Sequence, residues 1–352
     1  MKKAIYALVM SMLVIMTGCM QDEDVKPDGN GLTGNVSRVF VKDGKVISGT
    51  RADGEEDMEP AMWFASVDSF EQYREELSEM PDSIKADYTH ELGVMAMSDL
   101  EMKADAELDS IGEVATTETE FRTLYAGYVE KYSSTLINNY IDNTDLSLYA
   151  PVGDEEDIKY IANSNGQYVI GDKVYTVSDK MLPYSVQVLS LVEERTSSKK
   201  GKVSENDFSW SPVSGKKIKF SIERRKNKVT VYMSAHKKMW YGWKSDPKRW
   251  MAFMPVLSNF KEVLHNDPHT IYSYRYYKSI KEYIGEGILG QPPLAHDPEV
   301  QGTVYLWSDY EMEHDSKGNV LRAMPDGHPV VNMNKARQVK VCLAGELSLI
   351  HI

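Results

Sequence analysis

Cysteine is scarce in this sequence, and no apolar run is long enough to cross a membrane. Only Cys19 and Cys342 occur among 352 residues. If the sulfur of Cys19 carries a lipid, Cys342 has the remaining thiol. One thiol can form neither an intramolecular disulfide framework nor a cysteine-rich zinc site. The uncharged stretch Ala4–Met16 is shorter than the roughly 20 apolar residues that a membrane helix needs.

The sequence also lacks the short motifs of common catalytic and metal sites. No G-x-S-x-G, P-loop or G-x-G-x-x-G pattern is present. His265 and His269 have a helical metal spacing, but Pro268 disfavours a regular helix there and no H-E-x-x-H pattern is formed. We therefore predict no catalytic residue, no metal and no cofactor. The carboxylate pairs of glycosidases are defined in space, so a hydrolase stays open as an alternative.

Positive charge is in deficit overall and concentrated in one segment. The 40 Lys and Arg residues face 53 Asp and Glu residues, for a net charge of −13, which argues against a general nucleic-acid binder. Residues 199–281 nevertheless contain 19 cations and 6 acids. This segment could dock on an acidic region of the same chain, or bind an anionic partner such as lipopolysaccharide phosphate or a sulfated glycan. A solvated strand face is the simpler alternative.

The first residues have the pattern of an export signal. Lys2 and Lys3 precede the apolar stretch, which ends in the sequence Met-Thr-Gly before Cys19. This resembles the lipobox of bacterial lipoproteins, although Leu is usual at the position of Met16. The resemblance implies a signal peptide over residues 1–18, cleavage before Cys19, and acyl chains such as palmitate on that residue. The alternative is an ordinary secretory signal with an incidental cysteine.

Residues 19–60 are acidic and rich in glycine, which predicts a tether. Within it, residues 36–47 could pair as a hairpin around Asp43-Gly44. The acidic run 22–24 after Cys19 resembles the export signal of Bacteroidetes-type cell-surface lipoproteins. That resemblance implies a lipid anchor in the outer membrane with the protein exposed at the cell surface. A solvated linker on a periplasm-facing anchor is the alternative.

Residues 61–197 show helical periodicity. Thr117 with Glu120 predicts a helix start, and apolar residues from Phe121 to Ile141 fit a 3.6-residue repeat over about six turns. A β-hairpin near 165–177 is predicted around Gly171-Asp172. Acidic helices, this turn motif and a strand-rich tail together resemble uncharacterised Bacteroidetes-type surface lipoproteins. The shared motif is a turn and not a site, so the resemblance assigns no catalytic residue to this sequence.

Residues 202–352 change to a period of two. Apolar residues alternate with polar ones at 218–222, 229–233 and 339–343, among other places. Half-buried strands with long loops favour a mostly antiparallel sheet or sandwich. We therefore predict an α+β protein with an N-terminal helical region followed by a β-rich domain. Cys342 is expected on the face opposite its apolar neighbours.

The candidate ligand-binding residues lie in one basic and aromatic segment. They are Trp240, Tyr241, Trp243, Lys244, Arg249 and Trp250. Aromatic faces can stack on sugars and nearby cations can bind anionic groups, whereas core anchoring is the alternative role for the tryptophans. The predicted function is a non-catalytic module that binds a glycan, an envelope component or a protein. The alternatives are a surface hydrolase acting on polysaccharide or peptide, and a subunit of a larger envelope assembly.

Overall fold

The computed structural model describes residues 36–47, 58–78, 85, 90–177, 180–197, 206–262, 272–274, 280–288, 298–323 and 328–344. These residues form a mixed α and β structure with several antiparallel sheets. The helices are α1 (Val67–Ser78), α2 (Met97–Val114), α3 (Glu118–Tyr132) and α4 (Tyr184–Ser197), with short 3₁₀ turns at Glu156–Tyr160 and Met333–Lys335. None of the helices in these ranges has the length and apolarity to cross a bilayer.

Strands occur in both halves of the described chain. In the N-terminal half they are β1 (Val36–Lys42), β2 (Lys45–Ile47), β3 (Glu59–Phe64), β4 (Ile137–Asn138), β5 (Leu148–Tyr149), β6 (Gln167–Ile170) and β7 (Lys173–Thr176). The remaining strands are β8 (Asp207–Trp210), β9 (Lys216–Arg225), β10 (Lys228–Lys238), β11 (Trp243–Ser245), β12 (Met251–Ser258), β13 (Phe260–Glu262), β14 (Tyr272–Tyr274), β15 (Ile280–Gly287), β16 (Val300–Ser308), β17 (Arg322–Ala323), β18 (His328–Pro329) and β19 (Arg337–Leu343).

The first sheet joins segments from both sides of three helices. Its strand order is β2-β1-β3-β6-β7, and β3 pairs with β6 in parallel while the other pairs are antiparallel. A parallel pair needs a long crossover, and here helices α1 to α3 lie in the chain between the two strands. The β6–β7 hairpin lies where the sequence predicted one. The region before residue 198 is thus built on a sheet as well as on helices.

Part of the predicted tether belongs to this sheet. Val36–Lys42 pairs with β2 across Asp43-Gly44, as the sequence suggested, and also with β3. Its apolar side chains pack with those of the central strands, where Ala61 and Val169 are buried. The predicted tether, residues 19–60, is therefore too long. A short apolar strand can be stabilised by pairing with other strands even where the surrounding sequence is polar. The other residues assigned to the tether, apart from 58–60, lie outside the described residues.

Helix α3 begins as predicted and ends earlier than predicted. The Thr117 hydroxyl accepts a hydrogen bond from the Glu120 amide at 3.1 Å, which caps the helix. The helix ends at Tyr132, although the apolar repeat continues to Ile141. Leu136 is buried in the turn that follows, and Ile137 pairs with Tyr149 in the β4–β5 ladder. The predicted helix was too long because the sequence spacing continued beyond the true end: Leu136 is buried after the helix, whereas Tyr140, the next residue of the repeat, is 58% exposed.

Two antiparallel sheets face each other in the C-terminal half. One has the order β13-β15-β10-β9-β8, with β11 also on β10, and the other has the order β14-β12-β16-β19. Apolar residues from both sheets form a single buried cluster, which includes Phe220, Val231, Phe253 and Val304. This cluster is the core of a sandwich, and it contains the alternating residues predicted at 218–222, 229–233 and 339–343. The predicted alternation of Tyr305 and Trp307 marks the other face of β16, because these two side chains belong to the outer cluster and Val304 and Leu306 point into the core. Cys342 is exposed on the other face of β19.

The second face of strands β9 and β10 is buried as well. Tyr232 on this face packs against helix α4, and Lys219 on the same face is ion-paired with Asp142 at 3.0 Å. Ser234 and His236 are also buried here. The prediction of strands with one solvent-exposed face is therefore wrong for β9 and β10. Another layer of the chain covers their polar face. These polar side chains need partners inside the protein.

Ion pairs join the basic segment to the acidic region before it. Lys219 contacts Asp142, Lys237 contacts Asp109, and Lys281 lies 3.8 Å from Glu156. The described residues belong to one compact unit. The sequence analysis offered docking on an acidic region of the same chain as one role for the basic segment 199–281. These three ion pairs show that role for the lysines concerned. The predicted junction at 198–202 lies outside the described residues.

Candidate functional site

The turn between β10 and β11 is held by hydrogen bonds on two sides. Within the turn, the Met239 amide donates to the Gly242 carbonyl at 2.8 Å. Strand β11 pairs with β10 on one side. On the other side the Trp243 amide donates to the Thr144 carbonyl and the Leu146 amide donates to the Trp243 carbonyl, both at 2.6 Å. The turn residues are therefore presented from a fixed backbone.

Two side chains of this turn anchor it to the helices. The Tyr241 ring meets the Phe121 ring edge to face at 5.3 Å, and the Arg122 guanidinium lies 4.1 Å from the centre of the Tyr241 ring. Met239 lies so close to helix α2 that a Cβ atom on Gly112 would be 2.4 Å from its Cε. Because the residues before and after Trp240 are held in this way, the backbone position from which its side chain leaves is set by the fold.

Trp240 points outward and lines a groove between the turn and helix α2. Its side chain is 45% exposed, and it makes no ring contact or hydrogen bond with the residues that the structure describes. The groove has a volume of about 500 Å³ and is lined by Asp109, Gly112, Glu113, Lys237, Lys238, Met239 and Trp240. This volume lies in the range of about 300–1,000 Å³ that is typical of small-molecule sites.

A buried ion pair lies beside the groove. The Asp109 carboxylate accepts hydrogen bonds from Lys244 at 2.5 Å and is ion-paired with Lys237 at 2.7 Å. Lys244 is completely buried, and it also donates to the Asp105 carbonyl at 3.0 Å. Burial lowers the pKa of Lys244, while the nearby Asp105 and Asp109 oppose this change. The lysine therefore holds β11 against α2.

A second polar cluster lies under the covered face of β9 and β10. Asp145 accepts hydrogen bonds from the Asn139 amide at 3.0 Å and the Tyr149 hydroxyl at 2.7 Å. Burial raises the pKa of Asp145, although these hydrogen bonds act in the opposite direction. Ser190 accepts a further hydrogen bond from Asn139 at 2.8 Å.

His236 completes this cluster. Its Nε2 lies 2.9 Å from the Ser234 hydroxyl, and its buried Nδ1 has no hydrogen-bond partner among the described residues. Burial lowers the pKa of His236, and the charges of Lys219 and Lys217 lower it further. The cavity between these groups has room for about one water molecule. It is too small for a substrate, so the Trp240 groove is the better candidate for ligand binding.

The family of the chain follows from a comparison with known families. A family model described as "Domain of unknown function (DUF4848)" matches residues 56–245. The chain belongs to the DUF4848 family. The matched residues include every residue that lines the Trp240 groove.

One solved structure is similar to this DUF4848 chain. It is the crystal structure of a DUF4848 family protein from Bacteroides thetaiotaomicron VPI-5482, with 20% sequence identity and a TM-score of 0.32. The similarity covers 81% of this chain and 96% of the other. No curated protein matches the chain.

The six predicted ligand-binding residues do not share one surface in this DUF4848 protein. Trp240 lines the groove and Lys244 lies buried beside it. Tyr241 packs on helix α3, and the Lys217 ammonium lies 4.1 Å from the centre of the Trp243 ring. Each of these side chains except Trp240 has its polar or aromatic groups in contact with other parts of the chain.

The two remaining candidates lie near the second sheet. Arg249 is ion-paired with Asp309 at 2.5 Å and with Asp246 at 3.1 Å. Trp250 packs against the outer cluster of that sheet, which contains Trp307 and Met312. Both residues follow the matched family segment. Cys19, His265 and His269 lie outside the described residues.

The sequence reasoning missed two groups of functional interest. Asp109 and Glu113 line the groove, but they lie about 130 residues before Trp240 and no local pattern links them to it. The buried His236 cluster was also missed because alternating polar residues were interpreted as a solvent face. One feature of the sequence could have indicated this cluster: polar residues alternate along two long strands that are adjacent in the chain, at 217, 219, 221, 234 and 236.

Proposed function

We propose that this DUF4848 protein is a lipid-anchored, surface-exposed protein that binds a glycan in the groove beside Trp240. The exposed indole of Trp240 carries this proposal. An aromatic ring stacks well on the apolar C–H face of a sugar, and the hydrogen-bonded backbone of the turn does not have to be ordered when the ligand binds. Glu113 and Lys238 on the same groove offer an acceptor and a donor for sugar hydroxyl groups.

The proposed location rests on the N-terminal sequence. A lipidated Cys19 would anchor the protein in the outer membrane, with the acidic residues that follow as a surface-export signal. Two or three acyl chains give stable anchoring, since each buried CH₂ contributes about 0.8 kcal/mol. The groove would then bind polysaccharide outside the cell or a glycan of the envelope. Assembly with another envelope protein is compatible with this placement.

Glycan-array binding tests the proposal with the mature protein in detergent. Trp240→Ala should weaken binding at least tenfold, which corresponds to about 1.4 kcal/mol. Tyr140→Ala is the matched control, because Tyr140 is 58% exposed and does not line the groove. Far-UV circular dichroism and thermal unfolding establish that both variants are folded. Equal glycan binding by the wild type and a folded Trp240→Ala variant would contradict the proposal.

The runner-up is a hydrolase that acts on polysaccharide or peptide. One observation favours it: Asp109 and Glu113 lie one helical turn apart on α2, and both line the groove. Glycosidases commonly use two carboxyl groups. Asp109, however, is already ion-paired with Lys237 and Lys244, so its carboxylate is occupied by contacts within the protein. Release of reducing ends that is lost in Glu113→Gln would replace the binding proposal with this one.

A further inference from the structure

The charges of the Trp240 groove point to the class of glycan, an inference that rests on the proposed function. Lys238 is the last residue of β10, two positions before Trp240, and both line the groove. The Lys238 side chain is exposed, and its ammonium group forms no ion pair within the described part of the chain. Its charge is therefore available to a ligand that stacks on Trp240.

Among the described residues, neither carboxylate of the groove forms an ion pair with Lys238. Asp109 is shared by Lys237 and Lys244, so its single negative charge meets two positive ones. Glu113 is the remaining carboxylate of the lining, and it has no ion pair among the described residues. The groove lining contains two lysines and two carboxylates and is itself neutral, and the buried Lys244 adds one positive charge beside Asp109, within a chain of net charge −13.

We infer that the ligand is an acidic glycan, whose carboxylate or sulfate ester binds Lys238 while a neighbouring sugar ring stacks on Trp240. Glu113 then accepts hydrogen bonds from sugar hydroxyl groups and disfavours a ligand that presents anions along its whole length. A glycan with separated acidic groups satisfies all three side chains. The overall negative charge of the chain reduces non-specific attraction of polyanions elsewhere on the surface.

Matched glycan pairs test this inference by isothermal titration calorimetry. The probes are a hyaluronan oligosaccharide, in which every second sugar carries a carboxylate, with its neutral carboxyl-reduced form, and a keratan sulfate oligosaccharide with sulfate on every second sugar, with its neutral desulfated form. At least one acidic member should bind about tenfold more tightly than its less charged counterpart at low salt. This preference should fall as ionic strength rises, because added salt screens an exposed charge. Lys238→Gln should remove the preference and leave binding of the neutral member within twofold.

Lys248→Gln is the matched control, because Lys248 is an exposed lysine that does not line the groove. Trp240-dependent binding without a preference for the acidic member would overturn the inference and leave the proposed function standing. Equal losses in Lys238→Gln and Lys248→Gln would also overturn it, since they indicate diffuse attraction. An absence of any binding that depends on Trp240 would overturn both proposals.

Discussion

The ammonium nitrogen of Lys244 lies 2.5 Å from Oδ1 of Asp109 and joins strand β11 to helix α2 inside the protein. Asp109→Ala should lower the free energy of unfolding by about 3 kcal/mol, because it leaves a fully buried ammonium without its carboxylate. Lys244→Met should cost less, since it removes the buried charge while Lys237 still pairs with Asp109. Urea unfolding measures both changes.

The exposed Lys248→Met serves as the control for these variants and should change stability by less than about 0.5 kcal/mol. If Lys244→Met proves as costly as Asp109→Ala, packing of the lysine stem rather than its charge holds β11 in place.

His236 should make the stability of the protein depend on pH. An unfolded histidine titrates near pH 6.5, and burial lowers the pKa of His236 in the folded state. Below pH 6.5 the unfolded chain thus binds a proton that the folded chain does not, so the stability present above pH 6.5 is lost as the pH falls. The loss approaches about 1.4 kcal/mol for each pH unit until the folded pKa is reached.

His236→Gln removes this titration and keeps a polar group near Ser234. Urea unfolding of wild type and variant at pH 7.5 and pH 5.5 isolates the contribution, because other titrating groups such as Asp145 are present in both proteins. The wild type should lose about 1 kcal/mol more than the variant over this interval. Parallel losses in the two proteins would show that His236 can be protonated in the folded state.

Replacement of glycine by alanine should have opposite effects on stability at Gly127 and Gly302. Gly127 lies exposed within helix α3, and an added Cβ would meet no atom within 4 Å. Gly127→Ala should therefore stabilise the protein by about 0.5–1 kcal/mol. Gly302 lies opposite Leu257 in the sandwich, and a Cβ there would be 2.1 Å from the Val256 carbonyl oxygen.

Gly302→Ala should accordingly destabilise the protein by about 1–3 kcal/mol, because the two strands must move apart. Thermal unfolding of both variants beside the wild type checks the pair. A stable Gly302→Ala protein would mean that β12 and β16 can separate locally without loss of the sandwich core.

Cys19→Ser should release the protein from the envelope, since a serine hydroxyl cannot form the thioether of a lipoprotein. Metabolic labelling with palmitate and membrane fractionation are the measurements. The wild type should incorporate label and sediment with membranes, whereas the variant should do neither. An unlabelled wild-type protein that still sediments with membranes would refute the anchor and indicate that another interaction retains it.

Local features of the fold could be predicted from the sequence, whereas features that depend on distant contacts could not. The Thr117 cap and the hairpin turns at Asp43-Gly44 and Gly171-Asp172 depend on neighbouring residues, and they occur where the pattern placed them. The end of α3 at Tyr132 was not predictable, because burial of the following residues depends on the β4–β5 ladder.

The same distinction applies to the candidate site. Trp240 could be singled out because an aromatic and basic cluster is visible in the sequence. The exposure of the Trp240 side chain could not be predicted from the sequence, because this exposure depends on how Tyr241 and Met239 pack against helices α3 and α2. Lys244 belonged to the same cluster, but its partner Asp109 comes from a distant helix. A binding residue and a buried structural residue therefore looked alike in the sequence.

The sandwich core places a limit on how this protein can be divided. Residues 56–245 match the family model and include β9 and β10, but the sheet that covers their apolar face is formed by residues 251–343. A recombinant fragment cut at the family boundary would leave Phe220, Val231 and Met233 facing water, and such a surface promotes aggregation. A fragment that keeps these apolar residues covered must therefore extend beyond residue 245, as far as strand β19.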